Sequence, residues 1–271
     1  MVIRIWRQSV NLTASAFKQK QLIPYVTFGL PSVQATRTVI EALFQSGIDI
    51  IELGIPFSDP IADGPVIQKS HQAALSSGED VSILAALDMV SELKEAYPKA
   101  CIYLMCSVHL VMHVGHRSFF EQASQVGLDG VIMPDLSINH ADAYLDLGLA
   151  HGIHVVLLLS VFSDLERRQR ILSRSQGFCY LISSAGTTGT RSTFHPDLYD
   201  QLHELKREAS VPLVVGFGIQ SADHVRSITS IANGVVVGSF FESILQQDKP
   251  LSVVIDMLIE SVNDLKSGLV I

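Results

Sequence analysis

The chain has 271 residues, of which 48% are hydrophobic and 17% are charged. This balance excludes an intrinsically disordered chain, which would be poor in apolar residues and rich in charge. With 19 basic and 27 acidic residues, the net charge is −8 at pH 7. That charge argues against a protein that binds nucleic acid through phosphate contacts and against a polybasic membrane-surface protein.

The sequence shows no pattern typical of export or of membrane insertion. Residues 1–20 lack the ~7–15-residue apolar stretch of a signal peptide. The longest apolar run, near Val155–Val161, is much shorter than the ~18 residues of a membrane span. Three irregularly spaced cysteines, Cys101, Cys106 and Cys179, favour free thiols in a reducing compartment. We therefore predict a soluble, cytoplasmic protein.

Short apolar runs recur along the chain and predict eight buried strands. In chain order they are Leu22–Thr27, Ile48–Leu53, Ile102–Cys106, Gly130–Met133, His154–Leu159, Phe178–Ile182, Leu213–Gly216 and Gly234–Val237. Most of these runs are continuously apolar, which indicates strands buried on both faces of a parallel sheet. Amphipathic segments between them predict helices, among them Val33–Ser46, Val81–Tyr97, Leu198–Ala209 and Leu251–Leu265.

The alternation of strand and helix continues without a linker and predicts one domain over residues 1–271. Eight such units fit an α/β fold of the TIM-barrel type, (β/α)₈. A doubly wound open sheet is the alternative, because periodicity alone does not show that eight strands close. The interval from Leu53 to Ile102 is too long for one helix and its loops, and it predicts a loop insertion or an extra helix.

Two acidic residues near the second strand are candidates for proton transfer, since reactive side chains in such barrels follow the strand ends. Glu52 lies at the end of that strand, and Asp63 lies in a loop with three prolines. Burial would raise the pKa of Glu52 toward neutrality, which suits a group that both gives and takes a proton. Alternatively, Glu52 pairs with a Lys or Arg of a neighbouring strand, and Asp63, like Asp59, caps a turn or a helix.

Glycine-rich turns after the last two predicted strands fit a phosphate site. They are Gly216-Phe217-Gly218 and Gly238-Ser239. Glycines let backbone N–H groups approach an anion, and these two loops are the usual phosphate site of such barrels. The stretch Gly186–Gly189 after the sixth predicted strand has the polar tip of a mobile lid. Ordinary turn and loop glycines are the alternative in each case.

Three histidines, His109, His113 and His116, lie at helical spacing close to Cys106. Such spacing can bind zinc. No carboxylate adjoins these histidines, however, and the residues between them are mostly apolar. We interpret them as incidental histidines and predict no metal site.

The segment Glu52–Pro65, Glu-Leu-Gly-Ile-Pro-Phe-Ser-Asp-Pro-Ile-Ala-Asp-Gly-Pro, resembles the signature of the tryptophan synthase alpha chain family. Further segments match in the same order, namely Pro24–Thr27, Gly127–Val131, Pro134-Asp135, Ala185–Gly189, Gly216–Ile219 and Gly238-Ser239. The resemblance covers nearly the whole chain. It implies a (β/α)₈ barrel that cleaves indole-3-glycerol phosphate to indole and glyceraldehyde 3-phosphate, a retro-aldol step of tryptophan biosynthesis. It implies no cofactor in this chain.

The resemblance also assigns roles to single residues. It makes Glu52 the acid and base that protonates indole C3 and deprotonates the C3′ hydroxyl, and it makes Asp63 the acceptor of the indole N–H. Thr188 corresponds to the lid threonine that packs on the Asp63 loop. Phosphate contacts fall at Gly189, Gly218, Gly238 and Ser239, and the walls of the indole pocket fall at Tyr25, Ile132 and Tyr180.

A partner is implied as well, a beta chain that uses pyridoxal phosphate (PLP) and forms an α₂β₂ heterotetramer with the alpha chain. Asp59 would lie at or near that interface. The sequence departs from the family at several positions: Ser107 and His109, beside Cys106, replace a tyrosine and an asparagine, and Leu30 replaces an acid. These departures keep a second hypothesis open, a weakly active or inactive subunit that acts mainly as an allosteric partner. A different phosphate-binding barrel enzyme is the third.

Overall fold

A computed structural model of the chain describes residues 12–60, 63–182, 196–216 and 218–269. Within these residues, every strand pairs in parallel with its neighbours. The strands are β1 (Gln21–Thr27), β2 (Ile50–Gly54), β3 (Cys101–Met105), β4 (Gly130–Ile132), β5 (His154–Val156), β6 (Leu158–Ser160), β7 (Cys179–Ile182), β8 (Leu213–Gly216) and β9 (Gly234–Val237).

Helices lie between the strands. They are α1 (Val33–Gln45), α2 (Pro65–Leu75), α3 (Ile83–Ala96), α4 (Val108–Val114), α5 (His116–Gln125), α6 (Asp142–His151), α7 (Leu165–Arg174), α8 (Pro196–Glu208), α9 (Ala222–Thr229), α10 (Ser239–Leu245) and α11 (Leu251–Lys266). Residues 12–16 are also helical, and Ile138–His140 form one 3₁₀ turn. None of the helices in the described ranges is long and apolar enough to cross a membrane.

The sheet closes into a barrel through the predicted strand His154–Leu159. Hydrogen bonding orders the strands β5-β4-β3-β2-β1-β9-β8-β7-β6, so that β5 and β6 are the two ends of the order. Only Leu157 separates these two strands, and its carbonyl accepts a hydrogen bond from Tyr180 N–H (3.2 Å). One continuous run therefore pairs first with β4 and then with β7. The predicted TIM barrel is confirmed, and the open doubly wound sheet is wrong.

The long interval after β2 contains two helices, α2 and α3, as the extra-helix prediction requires. Local sequence explains where the predicted helices begin. The Ser32 hydroxyl accepts the Ala35 N–H at the start of α1, and the Ser82 hydroxyl accepts the Ala85 N–H at the start of α3. Such caps satisfy N–H groups that have no partner within the helix.

Alternate residues of each strand face the helices or the inside of the barrel. On β2, Ile51 and Leu53 pack among the helix-facing residues, whereas Ile50 belongs to a separate cluster inside the barrel. Glu52 and Gly54 share the parity of Ile50 and therefore face inward. The polar end of β2 thus points into the barrel, where the sequence predicts chemistry.

Three inward tyrosines each occupy the space above a glycine of a neighbouring strand. A Cβ atom built on the glycine would approach the tyrosine side chain to 2.0, 2.3 and 2.5 Å in the pairs Gly54–Tyr25, Gly130–Tyr103 and Gly216–Tyr180. Real Cβ atoms do not come that close, so no larger residue fits at these glycines without displacing a ring. These pairs fix where the aromatic rings lie inside the barrel.

Candidate active site

Glu52 is buried inside the barrel, with 1% of its surface exposed. In the described part of the chain, neither of its carboxyl oxygens has a hydrogen-bond partner. The alternative, in which Glu52 pairs with a Lys or Arg, is therefore wrong as far as the described part of the chain is concerned. Burial first, and the charge of Asp63 second, raise the pKa of Glu52 to about 8. The carboxyl group is thus mainly protonated at pH 7.

Asp63 lies in the loop between β2 and α2, and its side chain is 14% exposed. The loop backbone is tied down on both sides, because Asp63 N–H donates to Pro60 O (3.2 Å) and the Gln68 amide donates to Asp63 O (2.8 Å). The helix that follows begins after Gly64 without a side-chain cap, so the Asp63 carboxyl does not serve as a helix cap. Burial raises the pKa of Asp63 to about 6.

The three predicted pocket walls come together inside the barrel. Tyr25, Ile132 and Tyr180 belong to one cluster of buried apolar residues. Burial raises the pKa of Tyr180, and the charges of Glu52 and Asp63 raise it further, which places both carboxyl groups within electrostatic reach of this ring. An apolar, aromatic wall beside two acidic groups suits a flat ring that carries one polar N–H.

An open cavity adjoins Tyr25 and Asp63. It lies where the carboxyl ends of β1 to β4 meet, and its lining includes Tyr25, Asp63, His71, Met105, Ser107 and Asp135. Asp59, which is exposed, and Pro60 also line it. The Asp63 loop therefore forms one wall of the cavity, and the loops after β3 and β4 form the opposite wall.

The departures after β3 form a small polar cluster with Asp135. The Ser107 hydroxyl donates to Asp135 Oδ2 (2.6 Å) and the Val108 N–H donates to Asp135 Oδ1 (2.8 Å). His109 Nδ1 lies 3.6 Å from Asp135 Oδ2 and its side chain is 71% exposed. Sequence reasoning did not connect these residues, although both loops follow adjacent strands. The cluster joins the two loops that line the far wall of the cavity.

Histidines and cysteines elsewhere in this region have other surroundings. His116 pairs with Tyr144 (3.0 Å), and Cys106 is buried, as are Cys101 and Cys179, all as free thiols. The described residues contain no group of three or more His, Cys, Asp or Glu side chains that could hold a metal ion.

The predicted phosphate glycines lie at neighbouring strand ends. Gly216 is in register with Val236, which brings Gly218 and Gly238, two residues later, to the same level. A Cβ on Gly218 would meet no atom of the described residues within 4 Å, and Gly238 lies close to Tyr25. Open space in front of a glycine beside the aromatic pocket suits an anion that approaches the backbone. Ser239 begins α10. Thr188 and Gly189 fall outside the described residues.

Sequence reasoning missed His71, which lies on α2 with 5% of its surface exposed. Its Nδ1 atom receives the Phe57 N–H (3.2 Å), and its Nε2 atom lies 2.9 Å from the Tyr25 hydroxyl and 3.9 Å from Asp63 Oδ2. No motif in the sequence marks this residue. Its helical position, two turns after Asp63, is the one signal that could have placed it at the cavity.

Comparisons with known proteins agree with one another. The family model described as "Tryptophan synthase alpha chain" matches residues 12–269. The tryptophan synthase alpha chain of Geobacillus kaustophilus is 37% identical over 228 residues, 84% of each chain. That of Cyanothece sp. is 36% identical over 246 residues, 89% of this chain and 91% of the relative.

Solved structures extend the similarity to three dimensions. A chain in the Pyrococcus furiosus tryptophan synthase α₂β₂ complex superposes with a TM-score of 0.84 at 36% identity, covering 92% of this chain and 98% of the other. The tryptophan synthase alpha subunit of Legionella pneumophila superposes with a TM-score of 0.83 at 30% identity, covering 97% and 98%.

Proposed function

Because the chain belongs to the tryptophan synthase alpha chain family, we propose that it cleaves indole-3-glycerol phosphate to indole and glyceraldehyde 3-phosphate. The observation that carries the proposal is the pair of largely buried carboxyl groups, Glu52 and Asp63, whose pKa values are raised to about 8 and about 6. Two acids with separated pKa values, close enough for the charge of one to raise the pKa of the other, are typical of acid–base catalysis.

Glu52 is the proton shuttle of the proposed reaction. It is protonated at neutral pH and can give its proton to indole C3, which converts the ring into a leaving group. The resulting carboxylate then takes the proton of the C3′ hydroxyl as the C3–C3′ bond breaks and the aldehyde forms. One residue can do both because its pKa lies near the working pH. The absence of a competing partner among the described residues leaves both of its oxygens available.

Asp63 is the electrostatic partner. When C3 is protonated, positive charge develops on the indole nitrogen. A carboxylate that accepts the N–H stabilises that charge, and it acts most strongly in a site that excludes water. With its pKa raised to about 6, Asp63 is ionised at neutral pH while Glu52 is not.

The remaining assignments concern binding. We assign Tyr25, Ile132 and Tyr180 to the indole ring, and Gly218, Gly238 and Ser239 to the phosphate. Thr188 and Gly189 stay predictions for the lid and the phosphate. The proposed reaction is acid–base chemistry that the chain's own carboxyl groups supply, so we assign no cofactor to this chain.

The partner is a beta chain that carries PLP, in an α₂β₂ heterotetramer. Support comes from the Pyrococcus furiosus relative, which is described as part of an α₂β₂ complex. Asp59 and Pro60, at the mouth of the cavity, would lie near that interface. The chain would work in the cytoplasm, where the indole passes from one subunit to the other.

The experiment that tests this proposal is indole release from indole-3-glycerol phosphate by the purified chain, alone and with a tryptophan synthase beta chain. Wild-type protein should release indole, faster with the partner, and Glu52→Gln should release none while still binding substrate. Glu242→Gln is the matched control, because Glu242 is also fully buried but accepts hydrogen bonds from Thr27 N–H (2.8 Å) and the Thr27 hydroxyl (3.0 Å). Equal turnover in wild type and Glu52→Gln would refute the assignment.

A second candidate function, an allosteric subunit with little activity, is favoured by the Ser107–Asp135 hydrogen bond. This bond places a small polar side chain on the cavity wall where the family has an aromatic one. The same assay decides. Substrate binding without indole release, together with stimulation of the beta chain, would favour this second function.

A further inference from the structure

His71 is a buried imidazole whose two nitrogens each contact a different element of the site. The Phe57 N–H, in the loop after β2, donates to Nδ1 (3.2 Å), and the Tyr25 hydroxyl, on β1, lies 2.9 Å from Nε2. The ring therefore links the loop that leads to Asp63 with the strand that carries Tyr25. Nothing in the proposed reaction uses this residue.

The hydrogen-bond partners determine which nitrogen carries the proton. A backbone N–H can only donate, so Nδ1 must keep its lone pair and the neutral ring carries its hydrogen on Nε2. Nε2–H then donates to the Tyr25 oxygen. Burial lowers the pKa of His71, which favours this neutral form at the pH where the site works.

The direction of the Tyr25 hydroxyl follows from this arrangement. Because its oxygen accepts from His71, its own hydrogen is free to be donated to another group. Tyr25 is paired in register with Glu52, whose carboxyl oxygens have no hydrogen-bond partner in the described residues, the Tyr25 hydroxyl included. Asp63 Oδ2 lies 3.9 Å from His71 Nε2. Burial raises the pKa of Tyr25, and the charges of both carboxyl groups raise it further, so the hydroxyl lies within electrostatic reach of both.

We propose that His71 is a positioning residue, which turns the Tyr25 hydroxyl hydrogen away from α2 so that it can be donated to the Glu52 or Asp63 carboxylate that forms during the reaction, and which ties the Asp63 loop to β1. Tyr25 is then more than an apolar wall of the pocket. Its hydroxyl stabilises whichever carboxylate is charged as the proton moves, and His71, by donating to the hydroxyl oxygen, keeps the hydroxyl hydrogen directed away from the imidazole. The inference rests on the proposed lyase function.

The barrel contains its own control, a second buried histidine–tyrosine pair. His154 Nδ1 lies 3.1 Å from the Tyr103 hydroxyl, which also lies 2.9 Å from the Thr13 hydroxyl. Thr13 belongs to the helical residues that precede β1, so this pair marks the amino-terminal end of the barrel, opposite the cavity. Its chemistry matches that of the His71–Tyr25 pair. Tyr103 is also in register with Glu52, but its hydroxyl contacts Thr13 and His154 and not the elements that line the cavity.

The test is steady-state turnover of indole-3-glycerol phosphate with the beta chain present. His71→Phe and Tyr25→Phe should each lower kcat about 10- to 100-fold, the effect of one lost hydrogen bond to a charged group, with KM almost unchanged. The double variant should lose no more than either single one, because both changes break the same link. His71→Gln should recover part of the rate, since its amide can accept and donate. His154→Phe should keep the wild-type kcat.

Three results would overturn the inference: unchanged kcat in His71→Phe, losses that multiply in the double variant, or an equal loss in His154→Phe. If the wild type itself releases no indole, the proposed function fails. A second measurement, which needs no turnover, then tests the positioning role of His71. Nitrogen-15 NMR shifts of the His71 ring should show the hydrogen on Nε2. Carbon-13 NMR titration of the Asp63 carboxyl should show a changed pKa in His71→Phe and in Tyr25→Phe, and an unchanged pKa in His154→Phe. A titration that is identical in all variants would refute the positioning role.

Discussion

Replacing Glu52 by glutamine should remove activity and, at the same time, stabilise the protein by an amount that grows with pH. The sign follows from proton binding. The pKa of Glu52 is raised in the folded state, so the folded state holds its proton to higher pH than the unfolded chain. The contribution of this bound proton to the unfolding free energy is fully present below about pH 4.5, and it is lost as the pH rises toward about 8. Glutamine, which has no proton to lose, avoids that loss.

The magnitude follows from the two pKa values, 4.5 for the ordinary group and about 8 in the barrel. With 1.36 kcal/mol for each pKa unit, the Glu52→Gln variant should gain ~1 kcal/mol of unfolding free energy at pH 5, ~3 kcal/mol at pH 7 and ~5 kcal/mol at pH 9. These values are ceilings, because the buried amide brings two N–H donors without a partner among the described residues, whereas the protonated acid brings one O–H donor.

The assay is urea unfolding of wild type and variant at these three pH values, with the difference in unfolding free energy as the readout. Glu95→Gln is the control, because Glu95 is an exposed carboxyl on α3. It should leave the unfolding free energy close to that of the wild type at every pH. A Glu52→Gln difference that is the same at pH 5 and pH 9 would refute the reasoning, since it would mean that Glu52 is not held neutral by burial.

Three more predictions concern the site and its frame. The pH profile of kcat/KM should be bell-shaped with limbs near 6 and 8. Asp63→Asn should move the basic limb to lower pH, because it removes a charge that raises the pKa of Glu52. A basic limb at the same pH in wild type and variant would contradict this prediction. Gly218→Val should weaken binding of indolepropanol phosphate, a substrate-like phosphate ligand, about 10-fold or more, measured by calorimetry. The melting temperature should be unchanged, because no atom of the described residues lies within 4 Å of the added Cβ. Equal affinity in wild type and variant would count against the proposed phosphate site. Gly216→Ala should lower the unfolding free energy by ~1–3 kcal/mol, because its Cβ would lie 2.5 Å from the Tyr180 ring; chemical unfolding that matches the wild type would disprove the contact.

Much of the fold could be predicted from the sequence because it depends on local pattern. Continuous apolar runs marked the strands, and α1, predicted over Val33–Ser46, spans Val33–Gln45. The long segment between β2 and β3 required extra structure, which α2 and α3 supply. The two acids and the phosphate glycines could be proposed because strand ends and their loops are recognisable in one dimension.

Other features depended on contacts between residues far apart in the chain. Closure required that the run around Leu157 change its partner from β4 to β7, which its composition does not reveal. The same holds for the Ser107–Asp135 hydrogen bond, across 28 residues.

For the site, sequence alone identified Glu52 and Asp63 as candidate acids and left their surroundings open. Whether Glu52 had a partner depended on every neighbouring strand, because a buried charge is neutralised either by an opposite charge or by its own proton. The barrel surrounds it with apolar and aromatic side chains, so the proton stays. His71, 46 residues from Tyr25, gains its role only when β1 and α2 meet at the cavity. The sequence thus identifies which residues can carry out acid–base chemistry, whereas their pKa values and the directions of their hydrogen bonds depend on neighbours in the tertiary structure.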